Sequence, residues 1–199
     1  MDGPRSFPEP FLAPTAAVLA ADARALARAE ERLAARFGPP FLAGPAFPFT
    51  FTAYYAAETG PGAVKRFFVF LPGIAADLAG WKRWAVEAEA ETAREDRSVA
   101  RPANIDPGTL GLGSLVLAST KESSHRVYLG RGIWAEVELL WRAGAFEPLP
   151  WTYADYRTPE ALGFFGKARE ALKKFRREAS RDGPGERKGE QGGESPRGA

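Results

Sequence analysis

The chain contains no cysteine and only one histidine, His125. The first absence excludes disulfides, thiolate nucleophiles and every zinc site built on sulfur. The second argues against a histidine-based zinc site, and any imidazole acid or base must be His125. No run approaches the ~18 apolar residues of a membrane-spanning helix. No Gly-x-x-x-x-Gly-Lys-Ser/Thr phosphate loop is present: Gly163 to Lys167 has the wrong spacing and falls inside a helical pattern. There is no Gly-x-Gly-x-x-Gly fingerprint and no Gly-x-Ser-x-Gly elbow, which argues against a serine-hydrolase triad. Charge of one sign is also scarce. With 27 basic and 25 acidic residues the net charge is +2, too small an excess to point to nucleic acid. The densest basic run, Lys173, Lys174, Arg176 and Arg177, fits a solvated helix end, where cations complement the macrodipole.

The 199 residues suit one domain, and a core of that size needs no disulfide or metal. Residues 1–10, with Pro4, Pro8 and Pro10, read as a flexible arm. Residues 11–178 read as one domain. From 179 to 199 the chain is Gly, Pro, Ser and mixed charge, a disordered tail. Phe11 to Ala21 makes a poor signal-peptide core, since Asp2, Arg5 and Glu9 precede it and Pro14 breaks it. The expectation is a cytoplasmic protein without a membrane segment.

Phe11–Leu19 predicts a first strand, weakened by Pro14 and placed at a sheet edge. Asp22 caps a helix to about Phe37, with Leu26, Leu33 and Phe37 on one face. Phe47–Thr52 alternates aromatic and small residues, and Arg66–Leu71 is nearly all apolar; together they predict an antiparallel hairpin. Phe47, Phe49 and Phe51 are expected beneath the helices. A second helix is expected from about Ala76 to Arg94, with Asp77 as cap and Glu87, Glu89 and Glu91 toward solvent. Ser114–Ser119 is the expected returning strand. His125–Leu129 and Ile133–Arg142 form a hairpin around Gly130-Arg131-Gly132, and the last helix starts with Thr158 as cap and Pro159 at its first position. This order predicts an α+β fold: a ferredoxin-like βαββαβ core with a mostly antiparallel sheet, an extra C-terminal β-hairpin and a C-terminal helix.

Three polar blocks carry the candidate chemistry. In Arg101–Gly108, Asn104 and Asp106 project to one side of an extended chain and can hold a magnesium ion, a water or a ribose; the alternative is a turn, since Asn and Asp before Pro-Gly bond their own backbone. In Lys121–Tyr128, Lys121, Ser124, Arg126 and Tyr128 can bind anionic oxygens, and His125 is either an acid–base group or a buried structural histidine. In Trp151–Thr158, Asp155 and Arg157 sit among aromatics before a helix N-terminus; the alternative pairs them with each other while the rings cover the sheet end. Glu136 and Glu138 share a strand face, and with Asp106 offer an all-oxygen metal set or simply a solvated side.

The blocks R-P-A-N-I-D-P-G, T-K-E-S-S-H-R-V-Y-L-G-R-G-I and F-E-P-L-P-W-T-Y-A-D-Y-R-T, with F-P-F-T-F-T-A-Y-Y upstream, resemble the signature blocks of an uncharacterised prokaryotic domain family. The resemblance covers roughly residues 10–178, by typical domain extents. It implies a domain of unknown function and carries over no activity or catalytic residue. The residues themselves lead to a small-molecule site for an anionic ligand, phosphate- or carboxylate-bearing and nucleotide-like in the simplest case. Arg101, Lys121 and Arg126 would hold the anion, and Ser124, Tyr128, Asp155 and Arg157 would contact the ligand; Asn104 and Asp106 would orient it or Mg²⁺; His125 and Asp106 would be the acid–base pair. The alternative is a non-enzymatic module that binds RNA or a protein, through the aromatic face and the basic helix.

Overall fold

The computed structural model describes residues 11–72 and 77–181. The expected arm at 1–10 and residues 182–199 of the expected tail lie outside the described residues. In chain order the elements are β1 (Ala13–Ala20), α1 (Ala23–Phe37), β2 (Pro40–Ala43), β3 (Phe47–Pro48), α2 (Ala56–Thr59), β4 (Val64–Phe70), α3 (Leu78–Glu95), β5 (Ala103–Leu110), β6 (Ser114–Ser119), β7 (Val127–Gly130), β8 (Ile133–Arg142), β9 (Ala145–Pro148), a 3₁₀ turn (Ala154–Arg157) and α4 (Pro159–Arg181). The chain is α+β. Its antiparallel sheet has nine strands in the order β2-β4-β1-β5-β6-β8-β7, with β3 added to β4 and β9 to β8.

Both faces of the sheet are covered. Ala16, Val18 and Ala20 of β1 pack with Phe68, Phe70 and Ile105 beneath α1 and α3, around Leu33, Phe37 and Trp81. The alternate residues, Ala13 and Ala17, pack with Phe67, Val69, Leu115 and Leu139 beneath α4, around Phe165 and Leu172. All eight residues of β1 are therefore buried. The small alanines let helices approach from both sides. The helix starts follow their caps: Asp22 Oδ1 accepts from Ala25 N–H at 2.8 Å, Asp77 Oδ1 from Gly80 N–H at 2.8 Å, and Thr158 Oγ1 from Ala161 N–H at 3.1 Å.

Several expectations give way. The first strand is central, not at an edge, because β4 and β5 flank it. Pro14 lies one residue beyond the last β4 pair, Thr15 with Val69, where its missing N–H interrupts little. Phe47–Thr52 forms a strand only at Phe47–Pro48, and β2, not foreseen as a strand, takes the longer place beside β4. The Asn-Ile-Asp-Pro-Gly block is strand β5, pairing with β1 from Ala103 to Leu110. Ser114–Ser119 is thus the strand after the expected return. Gly108 is required there by crowding: a Cβ would sit 2.6 Å from the Val116 carbonyl oxygen and 2.7 Å from Thr15 Oγ1. Residues 179–181 of the expected tail are helical, since α4 runs to Arg181.

Two irregularities shape the rest. Leu115 pairs with Leu139 but Val116 pairs with Val137, so Glu138 is the extra residue of a β-bulge. The bulge resets the alternation of β8 and puts Glu136 and Leu139 on one face, the face of Leu115 and Leu117. It also overturns the solvated side expected for the two glutamates: Glu136 is 3% exposed and Glu138 0%. The second irregularity is a seam. β5 pairs with β6 only at Gly108–Leu110, so the stretch before Gly108 has a free edge that needs partners from elsewhere.

Candidate functional site

Side chains of α3 fill that need. Glu89 Oε1 accepts from Ile105 N–H at 2.8 Å, and Lys82 Nζ donates to the Ile105 carbonyl at 3.0 Å and to Asp106 Oδ1 at 3.2 Å. Glu89 and Lys82 are therefore buried on α3, and Glu89 is not the solvent-facing residue its spacing suggests. Arg101 bonds Glu89 at 2.6 Å and also Asn104 Oδ1, while Asn104 Nδ2 donates to Asp106 Oδ2 at 2.8 Å. The open seam thus gathers a charged row along β5 in place of backbone pairing.

Over this row lies a cleft of 490 Å³. Its floor is Lys65, Asn104 and Asp106; its rim is Lys121, Arg126, Tyr153 and Asp155; its aromatic wall is Phe49, Phe51, Tyr54 and Tyr55. A smaller chamber of 90 Å³ continues into the seam, between Asn104 and Asp106 on one side and Leu117 to Thr120 on the other, with Lys82 and Arg101 at its end. Phe49 and Phe51 are therefore not beneath the helices: the chain leaves β4 after Pro48 and folds them over the cleft, with Phe51 37% exposed.

The charges pair closely. Lys65 Nζ lies 2.5 Å from Asp155 Oδ2, both nearly enclosed, and Lys65 also stands over the rings of Phe49, Phe67 and Tyr156 at 5.0–5.8 Å. Arg126 donates to Glu136 Oε1, Tyr153 Oη and Ser119 Oγ at 2.8–2.9 Å. Glu58 approaches Arg101 at 3.5 Å from the exposed rim. Lys121 makes no ion pair among the described residues; its Nζ donates to Tyr54 Oη at 2.9 Å and rests 4.7 Å from that ring.

Protonation follows from these contacts. Enclosure alone would raise Asp106, but the ammonium groups of Lys82 and Lys65 outweigh it and hold the carboxyl below its usual range. Burial, with Glu136 and Asp155 nearby, pushes Glu138 up to about 8. Its Oε1 accepts from Tyr153 N–H at 2.5 Å, and its Oε2 has no partner among the described residues. Burial first, then Asp106, pushes Tyr55 up to about 12, so this phenol stays neutral as a donor.

The candidate residues divide. Arg101, Asn104, Asp106, Lys121, Arg126 and Asp155 meet around the two chambers. His125 lines neither. Its Nε2 lies 2.8 Å from Glu136 Oε2, its Nδ1 3.0 Å from Ser123 Oγ, and its ring stacks on Trp151 at 5.0 Å. Ser124 lines neither chamber. Tyr128 is 55% exposed, and its hydroxyl accepts from Gly132 N–H in the β7–β8 turn. Arg157 does not pair with Asp155; it donates to the carbonyls of Leu149, Pro150 and Thr152 and fixes the loop before α4. Among the described residues no group of three or more His, Asp or Glu side chains is placed to hold a metal ion, and no helix is long and apolar enough to cross a membrane.

Lys65, Lys82, Glu89 and the Phe49–Tyr55 wall were missed as site residues. A lysine at an inward position of an apolar strand was the readable signal for Lys65.

The stretch that builds this cleft, from β1 to the middle of α4, coincides with a family match. The chain belongs to the family described as domain of unknown function (DUF4416), whose model matches residues 12–172. No curated protein and no solved structure matches it significantly. The DUF4416 match takes in every chamber-lining residue named above.

Proposed function

We propose that the DUF4416 cleft binds a small anionic molecule, phosphate- or carboxylate-bearing, with Lys121 as the counter-charge. One observation carries this reading. Lys65, Lys82, Arg101 and Arg126 each face an acid of their own, in Asp155, Asp106, Glu89 and Glu136, whereas Lys121 has none among the described residues and lines both chambers. The 490 Å³ volume falls in the range of small-molecule sites, and an aromatic wall with a few polar groups is their usual lining. Asp106, held ionised, would accept from a ligand hydroxyl or amine, with Asn104 beside it. His125 would act through Glu136, by steadying the carboxylate that orients Arg126, rather than by touching ligand. The strand order β2-β4-β1-β5, with α1 and α3 on one face, supports reading the first half as a ferredoxin-like unit whose returning strand, β5, carries the site.

The test is a thermal-shift screen of the full chain against nucleotides, sugar phosphates and small carboxylates, repeated with Lys121→Ala and His125→Ala. A ligand at ~100 times its Kd stabilises by about 2.7 kcal/mol. A shift lost in Lys121→Ala is expected. A hit that survives Lys121→Ala, or no hit in any class, overturns the reading.

One observation favours a second reading, a protein-binding module. β7 is an edge strand, and Val127, Tyr128 and Leu129 on it are 67%, 55% and 43% exposed, a template for strand addition. Pull-down with Val127→Lys as control tests it: a partner lost with the charge supports it.

A further inference from the structure

A second, apolar cavity of 300 Å³ lies between β3 and the start of α4. Pro45, Phe47, Pro48, Phe67, Ala161 and Phe164 line it, and no cation does. Of its two polar side chains, the Thr158 hydroxyl is taken up in capping α4, and Glu160 is acidic. The groove shares one residue with the charged cleft, Phe51. Phe51 stands edge-on to Phe47 at 6.3 Å on the groove side and 5.7 Å from Phe49 on the cleft side. Three rings thus form a continuous apolar rail from Lys121's cleft into the groove.

We infer that the ligand is an amphiphilic monocarboxylate, with its carboxylate at Lys121 and its apolar body laid along Phe49 and Phe51 into the groove. The inference rests on the Lys121 reading and adds three things to it. A single unmatched cation suits a single negative charge, whereas a phosphate monoester brings nearly two. The rail gives an apolar body somewhere to go, because a groove without donors or cations offers nothing to a polar extension. Glu160 in the groove's lining repels an anion, which fixes the direction of binding. The volume holds on the order of ten water-sized atoms, enough for a medium-length chain or a ring with a short side chain.

The experiment is calorimetric titration of the full chain at pH 7 with butanoate, hexanoate, octanoate and decanoate, and with octan-1-ol and octyl phosphate as head-group controls. Affinity is expected to rise about fourfold per methylene until the groove is full. Octanoate should exceed octan-1-ol by at least tenfold, and Lys121→Met should erase that difference. Phe51→Ser, at a half-exposed bend where the fold loses little, should flatten the dependence on chain length. If all four acids bind with one affinity, the groove inference falls and the Lys121 reading stands. If octyl phosphate and sugar phosphates bind but no carboxylate does, the monocarboxylate class falls and the Lys121 reading again stands. If octanol binds as well as octanoate, or neither the four acids nor any phosphate binds, both fall.

Discussion

Replacing Glu138 by Gln should stabilise the protein, and increasingly so as pH rises. Glu138 is fully enclosed at the β8 bulge, with one carboxyl oxygen unpartnered among the described residues, Glu136 two residues away and Asp155 nearby. Its proton is held up to about 8, against an ordinary glutamate value in the unfolded chain. Between those two values the folded state binds a proton that the unfolded state has lost, so stability falls as pH rises through the window and stays low above it. Worked through, the penalty is roughly 1 kcal/mol at pH 5, 3 kcal/mol at pH 7 and 5 kcal/mol at pH 9. Gln keeps the acceptor for Tyr153 N–H and removes the titration. Its amide, like the protonated acid, leaves a buried donor group without a partner, so the two chains should be near parity at pH 4. The assay is urea unfolding of both at pH 4, 5, 6, 7, 8 and 9. The difference curve should climb by up to ~1.4 kcal/mol per pH unit from about 5 to 8 and then level. Parallel curves would mean that the bulge admits water to the carboxyl, and would refute the argument.

Three further outcomes follow from named contacts. Asp155→Asn should cost about 3–5 kcal/mol in urea unfolding, because it leaves Lys65 enclosed and unmatched, whereas Lys65→Met with Asp155→Leu should recover most of the loss. Gly108→Ala should lower stability by about 2–3 kcal/mol, since the new methyl meets a β6 carbonyl rather than a side chain that can turn aside; a variant as stable as the parent would disprove the crowding. Lys82→Met should raise the Asp106 carboxyl, which then has only Lys65 and the Asn104 amide against its enclosure, and carboxyl NMR titration reads the shift.

The helices were legible because their signals are local. Asp22, Asp77 and Thr158 cap, and Leu26, Leu33 and Phe37 recur at helical spacing. The strands were legible where alternation or an apolar run held, as in β4 and most of β8. β5 was not, because Pro107-Gly108 reads as a turn to any local rule, and only the crowding against β6 explains the glycine. The bulge at Glu138 was hidden for a related reason: alternation along β8 is regular in sequence, and the extra residue appears only against the register of β6. The three polar blocks were each visible as chemistry-bearing, but their partners were not. Asp155 looked toward Arg157, two residues away, and found Lys65 on β4, since spacing along the chain says nothing about which strand a loop will cross.

The arrangement of charge is itself an argument about purpose. Buried ion pairs contribute little stability compared with apolar packing of the same volume, because each charge must first be stripped of water. This sheet shows that the cheaper solution was open to it: beneath α4 its positions are filled by Leu, Val and Phe. Yet one end carries four buried or half-buried acid–base pairs, an incompletely paired seam between β5 and β6, and a carboxyl held protonated behind them. A fold optimised only for stability would close the seam by extending the β5–β6 ladder and would place no lysine at Lys65. On the proposed reading, charges fixed in pairs hold the cleft rigid before a ligand arrives and Lys121, unmatched among the described residues, is left for it, so that little ordering cost would remain on binding. That logic, and not the volume of the cleft, is what favours the proposed binding site over a packing fault at the end of the sheet.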